Sequence, residues 1–281
     1  MKIAVTGGSG FIGKKLLKVL VKNKDNKIIN LYRNKKFNHP RVQNIKFDLN
    51  KKIHNNFYQD IGEPEYLIHL AWDKLDDYNS KIHKKMLEQN IFFLKNFSNS
   101  KIKKIFIMGT CFEYGKRSGE LRERFKTNPC NNYSRSKDKL QQKLFKIFKY
   151  KGPIVLWGRL FYIYGEGQNP RTLYGQLNRS IKEKKEIFNM SNGDQTRDYL
   201  NINNVIKIVI SILIKSNKSD VINICSGRPV SLKNLVKKWL KKKKYKLKVN
   251  YGYYKNSINE AQSFWGSTYK LKKILKSNEN F

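Results

Sequence analysis

Residues 1–13 read MKIAVTGGSGFIG and place a glycine-rich turn directly after an apolar, β-branched run. The run is typical of a buried strand, and apolar residues recur at helical spacing over 16–21. Such glycines permit a tight turn, close approach of the backbone to a pyrophosphate, and packing of helix on strand. The segment therefore predicts a dinucleotide site at a helix N-terminus. Its candidate cofactor contacts are Gly7, Gly10, Phe11, Ile12 and Gly13.

Short β-branched runs alternate with amphipathic stretches further along the chain. Strands are expected at 28–32, 45–47, 66–70, 104–108 and 154–157, with helices near 82–98 and 134–150. Strands that alternate with helices form βαβ units and a parallel sheet. The chain is therefore predicted to be an α/β protein with a Rossmann-type, doubly wound parallel sheet.

The pattern changes after the strand at 154–157. Glycine and proline are frequent in 159–201, which predicts loops around one helix near 173–185. The stretch that follows returns to a helix and a strand, and the last part of the chain is basic and aromatic. We expect a dinucleotide-binding domain from 1–158 plus 202–225, and a smaller C-terminal substrate-binding lobe from 159–201 plus 226–281.

The predicted second strand lacks the terminal acidic residue that binds the ribose 2′-hydroxyl of NAD. The strand leads instead into Arg33, with Lys35 and Lys36 close behind. An arginine fork suits a 2′-phosphate, which favours NADP(H) over NAD(H). The alternative is that Arg33 is one more cation in a cationic chain, so NAD(H) stays open.

Tyr133 and Lys137 stand four residues apart in NNYSRSK, at the predicted start of a helix. Both side chains therefore project from one helical face. A tyrosine has an ordinary pKa of about 10, and a neighbouring ammonium favours its ionised form. The spacing arises easily by chance in a lysine-rich chain, but here it follows the strand at 104–108. The pair is a candidate acid or base near neutral pH.

Five motifs stand in order along residues 1–230. They are TGGSGFIG at the N-terminus, TCFEYG after the strand at 104–108, YSRSK shortly afterwards, RLFYIYG at 159–165 and TRDYLNI at 196–202. Together they resemble the extended short-chain dehydrogenase/reductases, specifically the NAD(P)-dependent sugar-nucleotide epimerase, dehydratase and reductase family. The resemblance implies a nicotinamide dinucleotide cofactor and a nucleotide-linked sugar as substrate.

The resemblance also implies roles for single residues. Thr110 resembles the residue that hydrogen-bonds the reacting sugar oxygen, and Tyr133 resembles the tyrosine that transfers the proton. Lys137 resembles the lysine that holds the nicotinamide ribose and lowers the pKa of that tyrosine. Arg197 resembles the arginine that contacts the substrate diphosphate. The further cofactor contacts implied are Asp48 and Leu49 at the adenine, Leu70 and Ala71 beneath the cofactor, and Asn90 in the following helix.

Several positions depart from the family pattern. Cys111 and Phe112 stand where the dehydratases carry the Asp-Glu pair that eliminates water, so dehydration is disfavoured. Trp72 replaces a small residue near the nicotinamide end, and Glu113 replaces an aliphatic one, either as a buried helper or as a structural hydrogen-bond partner. The candidate substrate contacts are Trp72, Thr110, Cys111, Tyr162 and Arg197.

The chain is strongly basic, with 59 Lys and Arg against 21 Asp and Glu among 281 residues, a net charge of +38. Lysines make up 48 of these cations and are scattered through every segment. A nucleic-acid surface usually favours arginine and a localised patch. We therefore attribute the charge to surface composition and expect no specific nucleic-acid partner.

Signals for export, metal binding and membrane insertion are lacking in the sequence. The three cysteines have no CxxC spacing and the four histidines no metal-ligand spacing, so neither a disulfide framework nor a metal site is expected. The N-terminus has no apolar signal core. The best apolar run, 205–214, is half a membrane span and contains Lys207, which predicts a buried helix. A cytoplasmic location is expected.

The sequence favours NADP(H)-dependent reduction of a nucleotide-linked 4-keto or 4-keto-6-deoxy sugar, in surface polysaccharide biosynthesis. An NAD-dependent epimerase or 4-dehydrogenase of the same family is the alternative. A rival of another class is a dinucleotide-sensing or nucleic-acid-binding protein that has lost the chemistry. Such proteins typically lack the tyrosine and the lysine, and this chain has both.

A homodimer through a four-helix bundle is also expected. Two predicted helices carry more apolar surface than a helix facing only its own sheet requires. In the resembling family these helices pair across a two-fold axis. The residues that carry this expectation are Leu87, Ile91, Leu94 and Phe97 in one helix, and Leu140, Leu144, Ile147 and Phe148 in the other.

Overall fold

The computed structural model describes residues 1–51, 53–54, 56–255 and 261–276. In these residues the strands are β1 (Lys2–Thr6), β2 (Lys27–Tyr32), β3 (Val42–Lys46), β4 (Tyr66–His69), β5 (Lys104–Thr110), β6 (Gly119–Leu121), β7 (Ile154–Leu160), β8 (Tyr162–Tyr164), β9 (Ile187–Asn189), β10 (Thr196–Asn201), β11 (Asp220–Ile224), β12 (Pro229–Ser231), β13 (Lys248–Asn250) and β14 (Phe264–Gly266). The helices are α1 (Phe11–Leu20), α2 (Phe57–Asp60), α3 (Ile82–Lys95), α4 (Asn132–Ile147), α5 (Leu173–Lys182), α6 (Ile202–Lys215), α7 (Leu232–Lys243) and α8 (Tyr269–Lys276). A short 3-10 helix, Cys111–Tyr114, follows β5.

Seven strands form one parallel sheet in the order β11-β7-β5-β4-β1-β2-β3. In this sheet Val5 of β1 pairs with Asn30 of β2 on one side and with Ile68 of β4 on the other. The strand order therefore reverses beside β1, which opens a crevice at the carboxyl ends of β1 and β4. The predicted Rossmann-type, doubly wound α/β fold is confirmed.

Apolar side chains cover both faces of this sheet. On one face they pack against α1, α6 and α8, where Leu16 and Val205 are fully buried. On the other face they pack against α3 and α4, where Phe93 and Leu140 are fully buried. Strands buried on both faces are nearly continuous apolar runs, which is why the central strands could be predicted from the sequence.

The apolar run at 205–214 lies within α6 and faces the sheet core, with Lys207 exposed, as predicted. Within the described ranges, none of the helices combines the length and the apolar character needed to cross a lipid bilayer. All three cysteines are free thiols, and Cys130 is the exposed one.

Residues 159–201 are more regular than the expected loops around one helix. The first strand of this stretch, β8, follows β7 after a single residue and pairs in parallel with β10, which also pairs with β12. A further strand, β9, pairs with β13, while α5 occupies the predicted helix. The strands β8 and β9 have three residues each, too few for a hydrophobic period to emerge.

Aromatic and aliphatic side chains hold these short strands against α5 and α7. Leu177, Phe188, Val236 and Trp239 form a buried cluster of their own. The exposed tail aromatics Tyr253 and Tyr254 lie outside it, and neither lines the cavity described below. Part of the tail, 256–260 and 277–281, lies outside the described residues.

The apolar stripes that predicted a helix-bundle dimer are covered by the protein itself. Their members Leu94, Phe97, Leu140 and Leu144 are fully buried in the core between α3, α4 and the sheet. Of the large apolar side chains on α3, only Phe92 is half-exposed. The argument from surplus apolar surface is therefore wrong, and the homodimer stays a prediction from the family resemblance.

Candidate functional site

A cavity of about 1140 Å³ opens at the carboxyl ends of β1, β2, β4 and β5. Residues of β8 and β10 and the segment before α5 line its opposite side. Pockets for one small ligand usually measure roughly 300–1,000 Å³, so this cavity has room for more than one. All the predicted site residues line it except Asn90 and Arg197.

The glycine turn forms one end of the cavity. Gly7 has a φ of +71°, and the Gly10 amide donates to the Gly7 carbonyl at 3.0 Å. A Cβ on Gly13 would lie 2.2 Å from that carbonyl oxygen, so only glycine fits here. Phe11 and Ile12 begin α1, whose first amides no side chain caps. Uncapped amides at a helix start suit a diphosphate.

Arg33, Asp48 and Leu49 line the far end of the cavity, as predicted. Arg33 donates to both carboxylate oxygens of Asp73, at 2.5 Å and 3.1 Å. The hydrogen bond to Asp73, together with the charges of Asp73 and Asp48, raises the pKa of Arg33 against the opposing effect of burial. The cation is therefore already paired by a carboxylate that the sequence did not single out.

A second hollow, of about 810 Å³, adjoins this end and shares Arg33 and Asp48 with the cavity. Lys36, Lys46 and Lys51 line it further. Its lining thus carries four cations and one carboxylate. An anion bound in this hollow would find a favourable potential.

Leu70 and Ala71 lie directly after β4, against the glycine turn. Their amides both donate to Thr6 Oγ1 at 3.2 Å, and a Cβ on Gly7 would lie 2.8 Å from the Ala71 nitrogen. The ends of β1 and β4 are therefore held in contact, with these two residues on the cavity wall as predicted.

Asn90 does not reach the cavity, contrary to its predicted cofactor contact. It is buried in α3, where its Nδ2 donates to the Met86 carbonyl at 2.6 Å and its Oδ1 bonds to His69 Nε2. Burial lowers the pKa of His69 to about 3, so the ring is neutral and its Nδ1 pairs with Thr6 at 2.8 Å. Asn90 thus fixes His69 beneath the end of β4.

Thr110 ends β5 and caps the 3-10 helix that follows. Its Oγ1 accepts from the Phe112 amide at 3.3 Å, while the Thr110 amide donates to Glu113 Oε1 at 2.9 Å. This reciprocal cap fixes the backbone on both sides of Thr110. The hydroxyl also hydrogen-bonds the Tyr133 side chain.

The start of α4 places Tyr133 and Lys137 on the cavity wall. Asn131 caps the helix by accepting from the Ser134 amide at 2.8 Å. Tyr133 therefore lies in the first turn, and Lys137 lies one turn later on the same face. The structure thus brings Thr110, Tyr133 and Lys137 to one wall of the cavity.

Burial raises the pKa of Tyr133 above its ordinary value, and the nearby Tyr78, Glu113 and Cys111 act in the same direction. The hydrogen bond from Thr110 lowers it only in part. The net direction is therefore upward, Lys137 is not among the groups that cause it, and the lowering expected from Lys137 stays a prediction. At neutral pH Tyr133 is a protonated phenol.

The ammonium group of Lys137 contacts two groups other than Tyr133. Its Nζ donates to the Met108 carbonyl at 2.8 Å and lies 3.9 Å from the centroid of the Trp72 ring. Burial lowers the pKa of Lys137 to about 7, and the Glu113 carboxylate opposes that shift. The amine can therefore change its charge near neutral pH.

Glu113 is buried behind Thr110 and does not line the cavity. Its carboxylate accepts from Arg159 Nε at 2.7 Å and from Trp157 Nε1 at 3.0 Å, besides the Thr110 amide. A Cβ on Gly109 would lie 2.2 Å from Trp157 Nε1 and 2.7 Å from Glu113 Oε1, so glycine leaves room for this arrangement. Of the two roles left open for Glu113, these contacts favour the structural one.

Trp72, Cys111 and Tyr162 line the cavity, as predicted for substrate contacts. Trp72 meets Tyr133 edge to face, with ring centroids 6.0 Å apart. Tyr162 meets Phe112 in the same way at 6.0 Å. Aromatic rings therefore form much of the wall around Thr110 and Tyr133.

Arg197, predicted to contact the substrate diphosphate, is buried outside the cavity. Its guanidinium donates to the carbonyls of Thr196 and Gln262, each at 3.0 Å. The neighbouring Asp198 accepts the backbone amides of 226–227 at 2.7 Å and 2.8 Å. In this structure the TRDY motif joins chain segments that are distant in sequence.

The cavity residues that the sequence did not single out include Asp73, Tyr78 and Arg171. The Tyr78 ring stacks on Tyr133 at 5.3 Å, and the exposed Arg171 lies 4.0 Å from Asp76 at the cavity rim. Two of the three lie in the loop after β4, beside the glycine turn. The position of that loop at the carboxyl end of a parallel strand was the available signal.

A model described as the NAD dependent epimerase/dehydratase family matches residues 3–225. A dTDP-6-deoxy-L-talose 4-dehydrogenase (NAD(+)) of Aggregatibacter actinomycetemcomitans is 26% identical over 271 residues, covering 95% of this chain and 100% of the relative. A GDP-6-deoxy-D-talose 4-dehydrogenase of the same organism is 26% identical over 236 residues, covering 81% and 75%.

Among solved structures, the chain is similar to a UDP-N-acetylglucosamine 4-epimerase from Methanobrevibacter ruminantium M1 in complex with UDP-N-acetylmuramic acid. The TM-score is 0.84 at 21% identity, over 97% of this chain and 91% of that one. A likeness at this identity shows that the two proteins share their fold.

Proposed function

Because the chain belongs to the NAD-dependent epimerase/dehydratase family, we propose that it interconverts the 4-hydroxyl and 4-keto forms of a nucleotide-linked sugar, working as a 4-ketoreductase. The observation that carries this proposal is the meeting of Thr110, Tyr133 and Lys137 on one wall of the cavity. Relatives named as 4-dehydrogenases of nucleotide-linked 6-deoxytaloses support it, since a dehydrogenase runs the same equilibrium in reverse.

The residues present fit a nicotinamide dinucleotide. Gly7, Gly10 and Gly13 leave a cradle at the start of α1 that any Cβ on Gly13 would fill, and its uncapped amides suit the diphosphate. Asp48 and Leu49 would hold the adenosine end. When bound, the dinucleotide supplies or accepts the hydride.

The chain's own residues handle the proton and the oxygen. Tyr133 is protonated, so it can give its proton to the carbonyl oxygen during reduction. Thr110 already hydrogen-bonds that phenol and would stabilise charge that develops on the same oxygen. Lys137, charged below about pH 7, would balance the phenolate left on Tyr133.

Dehydration is not part of the proposal. Thiol and phenyl groups, from Cys111 and Phe112, follow Thr110 where the dehydratases have carboxylates. In the described part of the chain, the carboxylates that line the cavity belong to the segment 48–76 and not to the vicinity of Tyr133. Proton removal next to the carbonyl therefore has no carboxylate base on the cavity wall beside the Thr110–Tyr133 pair, since Glu113 is buried behind it.

The proposed cofactor is NADP(H), and its support is Arg33 with the lysine-lined hollow beside it. NAD(H) is the second candidate, which two observations favour. Asp73 already occupies the Arg33 fork, and a carboxylate repels a 2′-phosphate. The dTDP-6-deoxy-L-talose 4-dehydrogenase that matches 95% of the chain is named with NAD(+).

Epimerisation is the second candidate reaction, favoured by the fold shared with a 4-epimerase. An epimerase must keep its reduced cofactor and turn the keto sugar over within the site, whereas a reductase releases both. Mass spectrometry of the purified protein separates the two. Tightly retained NAD favours an epimerase, and exchangeable cofactor favours a reductase.

The remaining parts of the proposal follow from the sequence. We propose that 159–201 and 226–281 form the lobe that binds the nucleotide sugar, that the enzyme works in the cytoplasm, and that its product serves surface polysaccharide synthesis.

The test is a screen of dTDP-, GDP-, UDP- and CDP-linked 4-keto-6-deoxyhexoses with NADPH and NADH. Cofactor oxidation is followed at 340 nm, and the product is identified by NMR. We expect stoichiometric formation of one 4-hydroxy sugar. If the chain only equilibrates two 4-hydroxy sugars with no net cofactor oxidation, it is an epimerase and the reductase proposal is wrong.

A further inference from the structure

Lys137 is almost fully buried, and Trp72 is the nearer of two indole rings at its Nζ, with the centroid of Trp157 at 6.0 Å. Its exposed fraction is 3%, and the distance from Nζ to the centroid of the Trp72 ring is 3.9 Å. Its Nζ donates a hydrogen bond to the Met108 carbonyl at 2.8 Å. A charge removed from water needs partners, and the face of an indole ring is the best aromatic partner for a cation.

The indole is itself held in place from its other edge. Trp72 Nε1 donates to His83 Nδ1 at 3.1 Å, and His83 Nε2 donates to the Asp77 carbonyl at 2.8 Å. Because an indole N–H can only donate, Nδ1 carries no proton and the two contacts define a single tautomer. His83 is fully buried and its ring is stacked with the indole at an angle of 18°.

We propose that Trp72 is a positioning residue for Lys137, holding its ammonium by the indole face while His83 and the Asp77 carbonyl hold the indole. The inference rests on the proposed function, since it acts through the role of Lys137 in the reduction. It also explains why a large residue stands where the resembling family has a small one. The loop after β4 supplies the partner for the lysine.

Groups from four elements act on the charge of Lys137. Glu113 after β5 favours the ammonium. His69 of β4, whose own pKa the charge of Lys137 lowers, is neutral. Tyr133 on α4 is protonated, and His83 on α3 is unprotonated at Nδ1, the nitrogen that faces the indole. The ammonium is thus stabilised by one buried carboxylate and by two indole faces, of which Trp72 is the nearer, against a strong effect of burial.

The contact between Trp72 and Lys137 should affect how kcat/KM falls at alkaline pH. In the direction of reduction the enzyme needs Lys137 charged, so kcat/KM falls as the amine loses its proton. Removal of the indole face favours the neutral amine, which moves this fall to lower pH. A contact of this strength corresponds to a shift of about one pH unit.

The test compares wild type with Trp72→Leu and Trp72→Phe. We expect the alkaline fall of kcat/KM to move about one pH unit lower in Trp72→Leu, and less in Trp72→Phe, which keeps an aromatic face. The matched control is Tyr150→Leu, which removes an exposed lysine–aromatic pair, Lys149 at 4.7 Å, outside the cavity. An unchanged profile in a folded Trp72→Leu enzyme would overturn the proposal.

A second measurement does not depend on turnover. Urea unfolding of Trp72→Leu, Lys137→Met and the double variant forms a double-mutant cycle. At pH 6 we expect the unfolding constants to be non-additive by about fivefold or more, and at pH 9 the coupling should shrink, because the amine is neutral. If Trp72→Leu does not fold, the cycle is run with Trp72→Phe, where a smaller coupling with the same pH dependence is expected.

These outcomes separate the two proposals. A chain without turnover on any nucleotide sugar, but with pH-dependent coupling, would refute the proposed function and keep the contact. An active reductase with additive variants at pH 6 would keep the function and refute the role of Trp72.

Discussion

Arg33 and Asp73 form a two-pronged ion pair across the adenosine end of the cavity, with donor–acceptor distances of 2.5 Å and 3.1 Å. One comes from the end of β2 and the other from the loop after β4, so the pair joins two strand ends that β1 separates. Both side chains are more than a third exposed, so solvent weakens the pair and either partner remains available to a ligand. We therefore expect cofactor choice to depend on both residues.

Arg33→Ala and Asp73→Asn should shift cofactor choice in opposite directions. Loss of Arg33 removes a charged hydrogen bond to a 2′-phosphate, so the Kd of NADPH should rise about tenfold or more and that of NADH little. Loss of the Asp73 charge removes a repulsion, so NADPH should gain relative to NADH. Isothermal titration of both cofactors measures this.

The matched control is Arg228→Ala, an exposed arginine outside the cavity. It lowers the net charge of the chain by the same amount and should change neither Kd. If Arg33→Ala weakens NADH and NADPH equally, Arg33 does not bind a 2′-phosphate.

Glu113→Gln should destabilise the protein strongly. The change leaves the Arg159 guanidinium buried without its 2.7 Å charge partner, and breaking a buried pair typically costs about 3–5 kcal/mol. Glu113→Gln combined with Arg159→Met removes both charges and should recover much of the loss. Urea unfolding of the three variants checks this, and equal stability of Glu113→Gln and wild type would contradict it.

The same variant also tests whether Glu113 is an acid in the reaction. Because Glu113 does not line the cavity, folded Glu113→Gln enzyme should lose far less than the roughly 10²-fold typical of a missing acid. A larger loss of kcat in folded protein would restore the catalytic role.

His69 should make the protein sensitive to mild acid. Its pKa is lowered to about 3 in the folded protein, against 6.5 ordinarily, so its contribution is fully present above pH 6.5. That stability is lost as pH falls from 6.5 towards 3, because the unfolded chain binds the proton first. Between pH 7.5 and 5 the loss is about 2 kcal/mol.

Urea unfolding of His69→Asn across this range provides the measurement. The variant is less stable at every pH, but its free energy of unfolding should no longer fall by this amount between pH 7.5 and 5. An unchanged slope in His69→Asn would show that another group is responsible.

The fold could be predicted from the sequence because local signals and topology agree. The run from Lys2 to Thr6 is buried on both faces. The turn that follows requires glycine, since a Cβ on Gly13 would collide with the Gly7 carbonyl. The alternation of strands and helices then leaves few topologies. Three-residue strands such as β8 carry no such signal and depend on partners distant in sequence.

Part of the site followed from helix geometry. The four-residue spacing places Tyr133 and Lys137 on one face, and the end of β5 brings Thr110 to them. The charge state of these groups did not follow, because it depends on burial and on Glu113, which tertiary packing alone determines. Asn90 and Arg197 lie outside the cavity for the same reason, since both hydrogen-bond backbone carbonyls inside the protein.

If the protein forms the expected homodimer, the affinity between its two subunits should depend on salt concentration. The outward face of α3 carries the half-exposed Phe92. Exposed cations surround the outer faces of both helices: Lys84, Lys85, Lys95, Arg135, Lys139, Lys143 and Lys146. If these faces pair, like charges meet, and salt should strengthen the dimer as the Debye length falls from about 30 Å at 0.01 M to about 8 Å at 0.15 M.

Sedimentation velocity over this salt range tests the dimer. Phe92→Asp should give a monomer, whereas Ile187→Asp, at a half-exposed apolar residue of β9, should behave as wild type. A monomer at every salt concentration would refute the homodimer.

Tyr133→Phe separates an enzyme from a cofactor binder on the same fold. The change removes one hydroxyl, keeps the ring stacked on Tyr78 at 5.3 Å, and leaves the glycine turn intact, so the Kd of the cofactor should barely move. Loss of the proton donor should lower kcat by about 10²- to 10⁴-fold. Thr110→Val should act in the same direction but less strongly, because it removes a hydrogen bond and not the proton. Steady-state kinetics on the substrate found in the screen, with cofactor titration alongside, gives both quantities. Full turnover of Tyr133→Phe would leave the reaction without an identified acid on the cavity wall, and the catalytic assignment of Tyr133 would be wrong.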